Sequence, residues 1–343
     1  MATRIAAVLL AISCALGGGA AVADDGKMHL FRIASGAAGG TYFPMAGLLA
    51  QVVSNPPGSP SCVQGGNCGM PGLVAIAQSA QGSVANVASL DKDQVESGFA
   101  QSDVTYWAYT ATGPFQGKAP VKKLCVLTSL YPEHVHLVAR RASAIQGVRD
   151  LKGKTVALGL PASGSLVGAR LVMSAHGLAE GRDFEARYVK PKTGADLVRD
   201  SKLDAFFDIT GYPNVAIGEA IKALGMHLVP IRGPERDALI ANAPFYYAAA
   251  IPGGVYKNHP DPVETVAVAA LWLSRANLPE DLHYGVVKGL FENRQAAQIL
   301  QNGHEKGKSV TLASHHLGVT IPYCKGAERF YREKSVYNPP KAP

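Results

Sequence analysis

The stretch Phe31 to Val53, FRIASGAAGGTYFPMAGLLAQVV, runs from a short apolar segment through a glycine-rich loop into a helix, and this junction constrains the fold most. Phe31, Ile33 and Ala34 suggest a strand. Gly36, Gly39 and Gly40 permit positive φ angles and close backbone approach, and Thr41 places a hydroxyl where the helix begins. The free N–H groups and positive dipole end of such a helix start can hold an anion. The loop lacks the closing GK[ST] of a nucleotide P-loop and the GxGxxG spacing of a dinucleotide fold. The same grammar recurs at Ala75 to Val87, Ser97 to Tyr109 and Thr155 to Met173, each time with small hydroxyl or amide residues at the turn.

Strand-like runs at Leu30 to Ala34, Leu73 to Gln78, Leu124 to Leu130, Thr155 to Leu160 and Ala205 to Ile209 alternate with helix-like segments, the pattern of parallel sheets covered by helices. The fold class is α/β. Further helices are expected around Pro262 to Ser274, Glu280 to Phe291, Arg294 to Leu300 and Lys325 to Lys334. A chain of 343 residues exceeds what one core organises, which favours two lobes.

The first 23 residues read as a signal peptide: Arg4, an apolar core from Ile5 to Leu16, and Ala21-Val22-Ala23 as a cleavage site near Ala23. The core is too short for a membrane span, and Ala11-Ile12-Ser13 before Cys14 is a poor lipidation signal. Export to the periplasm is the expectation. The net charge of +7 comes from dispersed Lys and Arg, which argues against nucleic acid and suits an anionic solute. Cys62, Cys68, Cys125 and Cys324 follow the leader. In an exported chain they suggest disulfides; Cys62 and Cys68 flank VQGGN in a Pro- and Gly-rich loop that can close on itself, while pairing of Cys125 with Cys324 requires the C-terminal segment to return to the first lobe.

The motifs GAAGGTYFPMAGLLA, GSVANV, GFAQSDVTYWAY, LYPEHVHLVAR, LKGKTVALGLPASGS and DAFFDITGYPN, in this order, resemble the TAXI family of TRAP-transporter solute receptors. The resemblance continues through YYAAAIPGGVY, LPEDLHYGVVKGLFE and KGAERFYRE. It implies a two-lobed, periplasmic-binding-protein-like fold of type II, with lobe one at 24–140 plus 250–343 and lobe two at 141–249. It also implies TRAP membrane permease subunits as partners, ion-gradient-driven import, and a ligand such as glutamate, glutamine or 2-oxoglutarate. The cysteine loop departs from the commoner family pattern.

Ligands of open α/β sheets bind beyond the carboxyl ends of strands, so the interlobe cleft is the expected site. Gly40, Thr41, Tyr42, Ser83, Gln101, Ser102 and Asp103 would project from lobe one; Ser163, Gly164, Ser165, Asp208 and Tyr212 would face them from lobe two. Backbone amides with Thr41, Ser83 or Ser165 can replace the water of a carboxylate without a dedicated arginine, and Asp103 can read an ammonium group or reject a second anion.

Catalytic readings find less support. His134 and His136 share a face if Val135 lies in a strand, yet no HExxH or paired cysteine-histidine spacing accompanies them, so neither metal nor cofactor is expected. There is no GxSxG elbow, and Ser89 to Lys92 gives an SxxK without its companion signatures. The expected function is a monomeric receptor for a small carboxylate or amino acid; a ligand sensor of the same fold and a periplasmic hydrolase are the alternatives.

Overall fold

The computed structural model describes residues 28–341, so the leader, its cleavage point and Cys14 lie outside the described residues. Strand β1 (His29–Ala34) feeds helix α1 (Tyr42–Val53) through the glycine loop. Two short strands, β2 (Ser54–Asn55) and β3 (Met70–Pro71), bracket the cysteine loop. Strand β4 (Leu73–Gln78) then leads to α2 (Ser83–Asp91), and β5 (Ser97–Gln101) to α3 (Ser102–Thr110).

The long strand β6 (Leu124–Arg140) carries the chain onward. After it come β7 (Thr155–Ala157), α4 (Gly164–Ala175), β8 (Glu185–Arg187), α5 (Pro191–Arg199) and β9 (Ala205–Thr210). Next are α6 (Val215–Leu224), β10 (Met226–Val229), α7 (Pro234–Asn242) and β11 (Tyr247–Ile251). The chain closes with β12 (Val263–Arg275), α8 (Glu280–Glu292), α9 (Ala296–Gly303) and α10 (Lys325–Glu333).

The strand order β4-β1-β5-β12-β6-β9-β7-β8 explains the architecture. A parallel trio, β4-β1-β5, forms one end and a second, β9-β7-β8, the other. The long strands β12 and β6 lie antiparallel between them. Parallel trios need crossover helices, which cover the sheet and leave the helix starts at the carboxyl ends of the strands. The result is the α/β periplasmic-binding-protein-like fold expected from the sequence.

Each half has its own core. Phe31, Phe99 and Trp272 meet edge to face in the first, with ring centroids 6.2 and 6.3 Å apart, each pair contributing about 0.5–1.5 kcal/mol beyond its burial. Strand β6 supplies Leu124 to Tyr131 to this core and Val135 to Ala139 to those of the other half; β12 supplies Ala269 to Leu273 to the first and Val266 and Val268 to the second.

Strand β12 corrects the sequence reading, which expected a helix around Pro262 to Ser274. Strand β12 lies between β5 and β6 in the sheet and is buried on both faces, so its side chains form a nearly continuous apolar run without the polar alternation that marks a half-exposed strand. Alanines mimic a helix there. The valines at 263, 266 and 268, which lose χ1 freedom in a helix, favour the extended form.

Both cysteine pairs are bonded. Cys62–Cys68 closes the short loop, and Cys125–Cys324 ties β6 to the residue that precedes α10, across 199 positions. Replacing Cys62 and Cys68 with serine is expected to cost about 2 kcal/mol in the chain-entropy estimate for so short a ring. Urea midpoints of oxidised wild type and variant would show it.

Candidate functional site

The helix starts α1, α2 and α4 converge on one cavity of about 250 Å³ between the two halves. This is somewhat below the roughly 300–1,000 Å³ of drug-sized ligand pockets, as a small metabolite requires. One wall is the glycine loop, Gly36 to Gly40, with Gly82 at the start of α2. The facing wall is the turn into α4, where Ser163 caps the helix by accepting from the Leu166 N–H at 3.1 Å.

The two walls touch. The Ala85 N–H donates to the Ala162 carbonyl at 3.0 Å, across the cleft. Thr41 is the residue before α1, yet its hydroxyl does not cap that helix; it donates to the Gly211 carbonyl and accepts from Thr210 Oγ1, both at 3.0 Å. Gly164 has no side chain because none fits: a Cβ there would lie 2.5 Å from Gln101 Cδ and 2.7 Å from Ser83 Oγ. The halves are closed on each other around the cavity.

Of the residues expected at the site, Gly40, Tyr42, Ser83, Gln101, Ser163, Gly164, Ser165 and Asp208 line the cavity. Thr41 lies in the seam instead. Asp103 is buried away from the cavity, its carboxylate accepting from Tyr246 Oη at 2.8 Å and from the Val104 N–H at 2.7 Å. Ser102 faces a different cavity, and the Tyr212 ring packs on His134 and under the Lys306 ammonium, 3.2 Å from its centroid.

The sequence reading missed Glu133, which stands on β6 at the cavity wall and accepts a 2.7 Å hydrogen bond from Tyr42 Oη. The one acid of β6, beside Pro132, was the available signal. Lys190 and Lys192, at the start of α5, also line the cavity and bring the opposite charge.

Burial sets the electrostatics. It pushes Glu133 well above the usual carboxylate range, a rise that the Tyr42 hydroxyl opposes and the nearby charges of Asp208 and Asp103 reinforce. Asp208 is pushed up to about 7 by burial, against the hydrogen bonds from Ser165 Oγ and the Ile209 N–H. Asp103 rises to about 6 for the same reason, opposed chiefly by Tyr246. His134 falls to about 3 and His136 to about 4 as burial disfavours their cations, and Lys306 falls to about 8.

The histidines form no metal centre with one another. His136 Nδ1 is 2.9 Å from the His134 carbonyl, and its Nε2 is 3.1 Å from Tyr256 Oη. Among the described residues one group of metal-ligating type occurs, Cys125, His283 and Cys324, and its two sulfurs are bonded to each other.

The Asp208 environment predicts a pH dependence. Unfolded, this carboxyl ionises near 3.8; folded, near 7. Between those values the unfolded state binds fewer protons, so stability falls as pH rises through the window and the loss is complete above about 7. Asp208→Asn should therefore lose less stability than wild type between pH 4 and pH 8. Urea unfolding at both values tests this, and equal losses would show that Asp208 does not carry the effect.

A family model described as NMT1-like matches residues 33–335. The chain belongs to the NMT1-like family. The match of this NMT1-like chain spans both halves of the cleft and both long strands. Among solved structures, it is similar to the alkanesulfonate-binding protein SsuA of Xanthomonas axonopodis pv. citri bound to MOPS, at 16% identity over 91% of this chain and 86% of that one, with a TM-score of 0.44. It is also similar to a binding protein component of an ABC phosphonate transporter from Pseudomonas aeruginosa, at 11% identity over 80% and 79% of the two chains, with a TM-score of 0.47. Similarities at this level assign no ligand. No helix among the described residues is long and apolar enough to cross a membrane.

Proposed function

We propose that this NMT1-like chain is an extracytoplasmic solute receptor of the TAXI kind, which captures a small amino acid in the periplasm and delivers it to the membrane subunits of a TRAP-type transporter. It acts as a monomeric carrier and leaves its solute unchanged. In this reading, 24–140 with 250–343 and 141–249 are the two lobes, the chain crossing between them along β6 and β12.

The observation that carries the proposal is a cavity whose walls come from both halves and which offers both hydrogen-bond donors and acids. The starts of α2 and α4 and the glycine loop offer backbone N–H groups, and Lys190 and Lys192 add positive charge; these suit a carboxylate. Glu133 and Asp208, which line the same cavity, suit an ammonium group. A dicarboxylate such as 2-oxoglutarate carries no ammonium group with which those buried acids could pair. Among the solutes named by the family resemblance, glutamate or glutamine therefore fits better than 2-oxoglutarate. Because the solute touches both lobes, it binds the closed state better than the open one, which is the condition for closure.

A thermal-shift screen of the chain beginning at Asp24, against amino acids and dicarboxylates, tests the proposal. A solute at about 100 times its dissociation constant should stabilise the fold by roughly 2.7 kcal/mol and be recovered unchanged. A flat screen would remove the receptor reading, and consumption of the solute would make the protein an enzyme.

A further inference from the structure

A second cavity, of about 930 Å³, lies where β6 and β12 pass from one core to the other. Ser102, Tyr131 and Ala269 wall it from the first half, and Phe245 and Tyr247 from the second. The C-terminal tail lies over it, held by a hydrogen bond from the Lys341 N–H to the Val319 carbonyl at 3.1 Å. Neighbouring residues serve the two cavities in turn: Gln101 and Glu133 line the first, Ser102 and Pro132 the second.

The polar groups of this cavity are short of partners. Among the described residues, twelve buried side-chain atoms hydrogen-bond to nothing in the protein, and four of them, Ser102 Oγ, Tyr131 Oη, His316 Nδ1 and Thr320 Oγ1, belong to residues of this one cavity. Ser102 and Tyr131 are 0% and 2% exposed. An unpaired buried hydroxyl costs about 1–3 kcal/mol, so such a concentration marks a place built for a partner from outside.

Charge and shape narrow that partner. No Asp or Glu lines the cavity, whereas Lys341 does, together with Lys308, whose ammonium rests on Glu305 at 2.7 Å, and Leu130, Leu317 and Val319 give it an apolar wall. Hydroxyl donors, lysines and an apolar wall together suit one anionic head on an aliphatic body. We infer that this cavity is a second ligand site, distinct from the cleft, for an amphiphilic monocarboxylate. A ligand held there touches both halves beside the crossing strands, so it biases opening and closing, and the coupling to cleft binding is reciprocal.

Isothermal titration of octanoate into the chain beginning at Asp24 tests the inference. Octanoate should bind with a dissociation constant below about 1 mM. Leu317 is 55% exposed, so a charge there leaves the fold intact. Leu317→Asp should weaken octanoate by about tenfold or more through like-charge repulsion at the mouth, and Leu317→Lys should retain it. Glu133→Gln, in the other cavity, should leave octanoate binding unchanged.

Three results would overturn the inference. Absence of binding up to about 5 mM would mean that the cavity holds water alone. Equal affinity for 1-octanol would remove the anion requirement. Loss of octanoate in Glu133→Gln but not in Leu317→Asp would place it in the cleft. Glutamate titrated separately reports on the receptor proposal, so the two can fail independently.

Discussion

Gly164→Val is expected to abolish solute binding while leaving the fold intact. The Cβ alone would fall 2.5 Å from Gln101 Cδ and 2.7 Å from Ser83 Oγ, and valine adds two methyl groups to that position. Gln101 lines the cavity, so swinging it aside would carry its amide into the space that the solute would fill. Within each half, however, Gly164 is only the first residue of α4, and the clash arises across the cleft. An opened molecule therefore relieves it.

The variant should consequently fold with nearly unchanged stability and yet lose more than about 100-fold in affinity, since the binding-competent closed state is no longer populated. Titration calorimetry and urea unfolding of the same preparation separate the two effects. Retained affinity would mean that the solute does not require the closure seen between α2 and α4.

The second large effect concerns Cys125 and Cys324. A bond across 199 positions removes far more freedom from the unfolded chain than one across 6, and the chain-entropy estimate gives about 5 kcal/mol against about 2. The surroundings retain part of the native geometry without the bond. The Cys324 N–H donates to the Val126 carbonyl, the Val126 N–H to the Pro322 carbonyl, and α10 packs on α8 beside them. Replacing both cysteines with alanine is therefore expected to cost about 3–5 kcal/mol, a large share of the stability of a typical domain, and to lower Tm by about 10 °C. A loss no greater than that of the Cys62 and Cys68 variant would show that the unfolded chain is already compact around α10.

The strand-to-helix turns were legible in the sequence because glycine and hydroxyl residues mark them locally. The same locality explains why Gly40, Ser83, Ser163 and Ser165 were found. What the sequence could not show were consequences of packing. Strand β12 has no polar face because both of its faces are covered, which no window of its own residues can reveal. Asp103 carries the mark of a first-turn acid, yet Tyr246, 143 positions away, takes its carboxylate. Glu133 sits in a segment that reads only as strand, and its place at the cavity depends on how β6 crosses between the halves. Pairing of Cys125 and Cys324 likewise depends on the return of the C-terminal segment to β6, a tertiary event.

The most direct test of the central claim, that the closed cleft holds an amino acid between Glu133 and the helix starts, is a calorimetric titration at neutral pH of glutamate, glutamine and 2-oxoglutarate into wild type and Glu133→Gln. The account predicts that wild type prefers an amino acid over the keto acid by about tenfold or more, and that Glu133→Gln, which keeps the size of the side chain but cannot ionise beside an ammonium group, erases the preference. Binding of 2-oxoglutarate as tight as that of the amino acids, or an unchanged preference in the variant, would contradict it.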